Sequence, residues 1–94
     1  MIRTFADRRT ARLFEGKSTK GASHDLRRLV RRKLLQLHTL ADLETLRIPP
    51  GNRLEKLRGD RAGQWSIRVN EQWRICFTWK EDDAFDVWFG DYHG

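Results

Sequence analysis

Three consecutive segments of this chain alternate apolar and polar residues with a period of two, and that pattern leaves few folds open. In residues 64–69, Trp65, Ile67 and Val69 alternate with Ser66 and Arg68. In residues 73–79, Trp73, Ile75, Phe77 and Trp79 alternate with Arg74, Cys76 and Thr78. In residues 84–89, Phe85, Val87 and Phe89 share one parity. The connections are short: Asn70-Glu71 reads as a tight turn and residues 80–83 as a polar link. Half-buried strands joined this way form an antiparallel meander. A further strand candidate at 53–58 precedes them and is closed by the turn Gly59-Asp60-Arg61.

The first half has helical periodicity instead. Residues 1–6 alternate weakly and suggest a short strand. Asp7 is an N-cap for a helix through Phe14, which Gly16 ends. Residues 17–22 form a loop, and Ser23 caps a longer helix to about Thr39. There Leu26, Leu29, Val30, Leu34 and Leu37 make one buried stripe. Residues 41–46 add a helical turn before Pro49-Pro50-Gly51 breaks the chain. The expected fold is α+β: helices packed on one face of an antiparallel sheet, in the order β-α-α-β-β-β-β. At 94 residues the chain suffices for one domain, spanning 1–94.

Parity also separates the two sheet faces. The tryptophans and β-branched residues must lie against the helices, which leaves Ser66, Arg68, Arg74 and Thr78 on the other side. Arg68 and Arg74 flank one short turn, so their planar guanidiniums can serve a single phosphate-binding surface. If Phe85, Val87 and Phe89 face the core, strict alternation sends Asp91 and His93 inward too. Gly90 offers a bend that redirects the tail. Regular pairing is therefore expected to end near Gly90, with Asp91, Tyr92 and His93 curling towards the arginine face.

Charge narrows the partners. Residues 1–33 carry eleven Lys and Arg against three acids, and residues 34–80 carry eight against five. Residues 81–94 carry five acids and no Lys or Arg, and the whole chain has net charge +6. A basic body points to a polyanion, nucleic acid before membrane. Arg27, Arg28, Arg31 and Arg32 share the exposed face of the long helix, where the pairs four apart repel each other. Phosphates or an acidic protein would offset that repulsion; a plain solvated face is the alternative.

Other classes are poorly served. Cys76 is the single cysteine and cannot form an internal disulfide; in an alternating apolar segment it reads as an inert packed thiol. His24, His38 and His93 are far apart in sequence, so no zinc pattern exists and no metal or cofactor is expected. No apolar run is long enough to span a bilayer, and Met1-Ile2-Arg3-Thr4-Phe5 lacks a signal peptide's apolar core. A cytoplasmic protein without a membrane partner is expected.

The motifs, taken together, resemble a known family. These are the run from Pro49 to Arg61, Gly63-Gln64-Trp65-Ser66-Ile67-Arg68-Val69-Asn70, Gln72-Trp73-Arg74-Ile75-Cys76-Phe77 and the terminal Asp91-Tyr92-His93. In this order, and with Leu13-Phe14 upstream, they resemble the HigB toxins, a branch of the RelE superfamily of bacterial toxin–antitoxin systems. The resemblance implies the RelE-like microbial ribonuclease fold, two N-terminal helices on a curved antiparallel sheet. It implies a type II toxin that cleaves mRNA in the ribosomal A site without a metal. It also implies neutralisation by a HigA-like helix-turn-helix antitoxin, through which alone the toxin would meet operator DNA.

By that resemblance Arg74 is a site arginine, and Asp91, Tyr92 and His93 form the C-terminal site cluster. Arg58 stands where the family often has lysine; it keeps the charge but not a titratable amine. The expected chemistry is attack of the RNA 2′-hydroxyl on the adjacent phosphate, giving a 2′,3′-cyclic phosphate. His93 is the expected general acid, since an imidazole titrates near neutral pH. Arg74 and Arg58 would stabilise the phosphorane. Asp91 would orient His93 or act as base, and Tyr92 would stack on a base or hold the backbone. Arg61, Arg68 and the four helix arginines would bind RNA or the ribosome. Two rival readings are a non-catalytic RNA- or ribosome-binding module and a ParE-like toxin acting on DNA gyrase.

Overall fold

A computed structural model describes residues 1–92 of the chain, so His93 lies outside the described residues. Helix α1 spans Arg8–Phe14 and α2 spans His24–Thr39. The strands are β1 Glu55–Lys56, β2 Gln64–Arg68, β3 Arg74–Lys80 and β4 Asp83–Gly90, in the sheet order β1-β2-β3-β4, every pair antiparallel. Three short 3-10 turns, Leu43–Arg47, Pro50–Asn52 and Gly59–Arg61, fill the connections. Among the described residues, no helix is long and apolar enough to cross a membrane.

Both helices start where their caps place them. The Asp7 carboxylate accepts from the Thr10 N–H at 2.8 Å, and the Ser23 hydroxyl accepts from the Leu26 N–H at 3.2 Å. Gly16 follows α1 at φ +80°, a left-handed residue that turns the chain away. The buried stripe of α2, Val30, Leu34 and Leu37, joins Leu13 of α1 against Ile67, Ile75, Phe77, Ala84, Val87 and Phe89 of the sheet. One sheet face therefore makes the core, and the helices cover only that face.

Three sequence expectations need correction. The N-terminal residues do not form a regular strand. They make two isolated bridges to β4, Ile2 with Ala84 and Phe5 with Val87, and these run parallel rather than antiparallel. Thr10 of α1 continues this border by accepting from the Phe89 N–H at 3.0 Å. The strand expected over 53–58 shrinks to two residues. Arg53 lies in the left-handed region at φ 46°, which excludes it from a strand. The buried Asn52 beside it donates to the Leu46 carbonyl at 3.0 Å and accepts from Lys33, pinning this loop to α2. Burial in that contact, with Arg32 adding to it, lowers the Lys33 pKa.

The third correction concerns parity in β4. Cys76 pairs with Trp88, but Thr78 pairs with Phe85, so β4 contains one residue more than β3 over this stretch. The extra residue is Asp86, at φ 52°, whose N–H donates to Thr4 Oγ1 at 2.8 Å. The bulge puts Phe85 on the face away from the core and leaves Ala84, Val87 and Phe89 inside. Only Val87 and Phe89 of the expected apolar set face the helices.

Candidate active site

The helix-free face is built from cross-strand rungs. Glu55, Ser66, Cys76 and Trp88 form one rung; Gln64, Thr78 and Phe85 form another; Arg68, Arg74 and Gly90 form the last. Arg68 and Arg74 sit directly opposite each other, an arrangement that costs repulsion in a plain sheet. Here both donate to the Asn70 carbonyl, Arg68 Nε at 3.2 Å and Arg74 Nη1 at 2.7 Å. Arg74 Nη1 also reaches the Trp73 carbonyl at 3.1 Å. The turn itself is held by Asn70 Oδ1, which accepts from the N–H groups of Gln72 and Trp73 at 2.9 and 2.8 Å. The expected shared surface of Arg68 and Arg74 is thus a fixed geometric unit.

Regular pairing ends at Gly90, as the sequence suggested, but for a different reason. Gly90 has no left-handed backbone. A Cβ there would lie 2.0 Å from Trp88 Cζ2, because the indole lies across the glycine. The parity problem is solved earlier, by the Asp86 bulge. With that shift, Trp88, Gly90 and Tyr92 fall on the arginine side at two-residue spacing.

Arg61 joins this group from the 3-10 turn. Its guanidinium lies 4.3 Å from the Trp88 ring centroid and 5.2 Å from that of Tyr92. Its Nη1 donates to Gln64 Oε1 at 3.1 Å. Beside it, Glu55, Lys56, Leu57, Arg58 and Tyr92 line an open cleft of about 550 Å³. Asp91 approaches the Asn70 turn, its Oδ2 3.5 Å from Gln72 Nε2. The structure therefore gathers Arg58, Arg61, Arg68, Arg74 and Tyr92 on one side of the sheet, with Asp91 at its edge; His93 is outside the described residues.

Arg27, Arg28, Arg31 and Arg32 do not belong to this face. They lie on α2, on the opposite side of the sheet, so they form a second basic surface. Arg27 donates to Ser18 Oγ at 3.2 Å and Arg31 to the Phe14 carbonyl at 3.1 Å, which ties one of the four to the α1–α2 connection and another to the end of α1. Among the described residues, the guanidiniums of Arg28 and Arg32 have no hydrogen-bond or ion-pair partner. An open depression lies between them and Arg31 and Leu35.

Two members of the arginine face escaped the sequence reading. Glu55 puts a carboxylate in the cleft with Arg58 and Tyr92; its two-residue strand is too short to show a period. Trp88 was legible only through its spacing from Gly90 and Tyr92. Cys76 is buried beneath this face, and burial pushes its thiol up to about 11 against the opposing pull of Arg61 and Arg74. It is a packed thiol rather than a nucleophile. Among the described residues, no group of three His, Cys, Asp or Glu side chains is placed to hold a metal ion.

Known proteins share this architecture and sequence. A chain of the YoeB–YefM complex from Staphylococcus aureus superposes with a TM-score of 0.57, covering 100% of this chain and 99% of that one at 14% identity, a likeness of fold. Endoribonuclease HigB of Proteus vulgaris is 35% identical over 98 residues, 99% of this chain and 100% of that protein. Toxin HigB-1 of Vibrio cholerae serotype O1 is 46% identical over 57 residues, and that match takes in 61% of this chain and 60% of the relative. The family described as RelE-like toxin of type II toxin-antitoxin system HigB matches residues 3–93. With that span and the full-length likeness to the Proteus protein, the chain belongs to the HigB family of RelE-like toxins of type II toxin–antitoxin systems.

Proposed function

We propose that this toxin is a metal-independent endoribonuclease that cuts mRNA in the ribosomal A site and is silenced by a HigA-like antitoxin carrying a helix-turn-helix. The observation that carries the reading is the convergence of Arg58, Arg68, Arg74 and Tyr92 on one helix-free face, beside the Glu55 carboxylate. The full-length similarity to a protein named endoribonuclease supports it. RNA cleavage by its own 2′-hydroxyl needs a base, an acid and positive charge around the phosphorane, and no cofactor. Glu55 is the proton acceptor best placed in the cleft, and His93 serves as general acid for the 5′ leaving oxygen. Arg74 and Arg58 neutralise the non-bridging oxygens, and Arg68 holds Arg74 through their common acceptor. Asp91 orients the terminal segment.

The cleft is open and the site is a shallow surface, so positioning of the scissile bond must come from elsewhere. The ribosome supplies it by presenting a codon in fixed geometry. Primer extension on a translated mRNA, with and without purified toxin, tests this directly. Cuts in frame with the ribosome, persisting in chelator once ribosome integrity is controlled, and ending in a cyclic phosphate or 3′-phosphate are expected. Equal cleavage of naked mRNA defeats ribosome dependence, and 3′-hydroxyl products defeat the mechanism.

A further inference from the structure

We infer that Arg61 is a positioning residue whose guanidinium, stacked on Trp88, holds the Tyr92 ring over the cleft. The inference rests on the nuclease reading for its effect on rate, but its geometry stands apart from it. Tyr92 follows the last rung of the sheet, and among the described residues no backbone hydrogen bond holds it. A residue past the last rung must be held by its side chain if it is to keep one position. Among the described residues, the contact that ties this ring is Arg61, at 5.2 Å from its centroid.

Arg61 is itself fixed by its other contacts. It lies 4.3 Å from the Trp88 centroid, well inside the range of a cation–π contact, and its Nη1 is bonded to Gln64 Oε1. The indole is in turn seated across Gly90, where no side chain fits. Gly90, Trp88, Arg61 and Tyr92 thus form a continuous stack from the sheet to the cleft wall. An arginine committed to two rings and an amide is poorly free to grip phosphate, so Arg61 departs from the RNA-binding role its charge suggests. Lysine cannot replace it, because an ammonium offers no planar fork to stack and bond at once.

Tyr92 is the only tyrosine of the sequence, so 3-fluorotyrosine incorporation gives one 19F resonance that reports this ring. Arg61→Lys and Trp88→Leu should each move that resonance towards the value of free fluorotyrosine. In single-turnover cleavage of ribosome-bound mRNA, the same variants should lower the maximal rate by up to about 100-fold, as misplacement of a site group does. The toxin concentration giving half the maximal rate should stay near the wild-type value. If one variant fails to fold by circular dichroism, the other carries the test. An Arg61→Lys protein with the wild-type resonance and rate overturns the inference. So does an Arg61→Ala protein that keeps the resonance but binds ribosomes more weakly in a salt-dependent way, which marks a phosphate contact. If the wild-type protein cuts nothing, the nuclease reading fails and the 19F result alone decides the positioning role.

Discussion

Arg68 and Arg74 are cross-strand partners whose guanidiniums donate to one and the same oxygen, the Asn70 carbonyl. Two like charges placed face to face are thereby held together by a shared acceptor. Each guanidinium keeps further N–H donors beyond this bond, which is what a bidentate contact with a phosphate would use.

This relationship makes Arg74 sensitive to a change that preserves charge. A lysine bonded to the Asn70 and Trp73 carbonyls would keep one donor at most and could not present a planar, bidentate fork to a phosphorane. Arg74→Lys should lower cleavage by about 10²–10³-fold, the usual loss for a missing transition-state donor. Single-turnover rates on ribosome-bound mRNA check it. A wild-type rate for the lysine variant would show that charge alone suffices at this position.

Glu55 gives a second prediction. As proton acceptor in the cleft, its loss in Glu55→Gln should lower the rate by about 10²–10⁴-fold and flatten the acid limb of the pH–rate profile. The isosteric amide keeps the size of the side chain, so folding should be unaffected. A variant that is slower but retains an unchanged acid limb would transfer the base role to another group, with Asp91 the first to examine.

Gly90 gives a prediction of stability. A methyl group at this position meets the Trp88 indole well inside van der Waals contact. Overpacking of this kind typically costs about 1–3 kcal/mol. Urea unfolding of Gly90→Ala should show that loss, and relief of the clash in Gly90→Ala/Trp88→Leu should make the two changes non-additive. Simple additivity would mean that the indole does not rest on the glycine.

Where the sequence was legible, the deciding interactions were local. Asp7 and Ser23 cap their helices within three residues, and the stripe Val30, Leu34 and Leu37 repeats at helical spacing, so α1 and α2 could be read directly. The β2–β3 pairing was equally legible, because alternation on both sides of Asn70 fixes which residues share a face. Phe85 was misplaced because the bulge depends on Asp86 adopting a left-handed backbone and finding an acceptor in Thr4, 82 residues away. Nothing near Asp86 announces that contact. The same long separation hid the parallel seat of Ile2 and Phe5 on β4. At the site, parity grouped Arg68 with Arg74, whereas charge alone could not say that Arg61 faces two rings and that the α2 arginines lie on the other side.

Cys76 supplies a pH-dependent prediction. Burial raises its thiol from an ordinary 9.0 to about 11, so the folded state keeps a proton that the unfolded chain releases. The unfolded state binds fewer protons above pH 9, and stability must therefore fall as pH rises from about 9 towards 11. Below pH 9 this group should contribute no slope. Urea midpoints measured across that window for the wild type and Cys76→Ala test it, the alanine variant lacking this component of the decline. Identical slopes in the two proteins would remove Cys76 as the cause.

The two basic surfaces should separate association from chemistry. The guanidiniums of Arg28 and Arg32 project from α2 without hydrogen-bond or ion-pair partners among the described residues, on the side opposite Arg68 and Arg74. A surface charge of this kind steers and holds a polyanion, and each phosphate it neutralises adds to the salt dependence of binding. Arg28→Glu/Arg32→Glu should therefore weaken ribosome association and reduce its salt slope, while the rate at saturating toxin stays close to wild type. Arg74→Ala should do the reverse, with association nearly intact and the chemical step slowed by orders of magnitude. Cosedimentation with ribosomes across a salt series, paired with single-turnover cleavage, reads both quantities. If reversal of Arg28 and Arg32 leaves association and its salt slope unchanged, the α2 face does not meet the ribosome. The same variants titrated with purified antitoxin then tell whether this face serves an acidic protein, in which case dissociation of that complex becomes faster and less salt-sensitive.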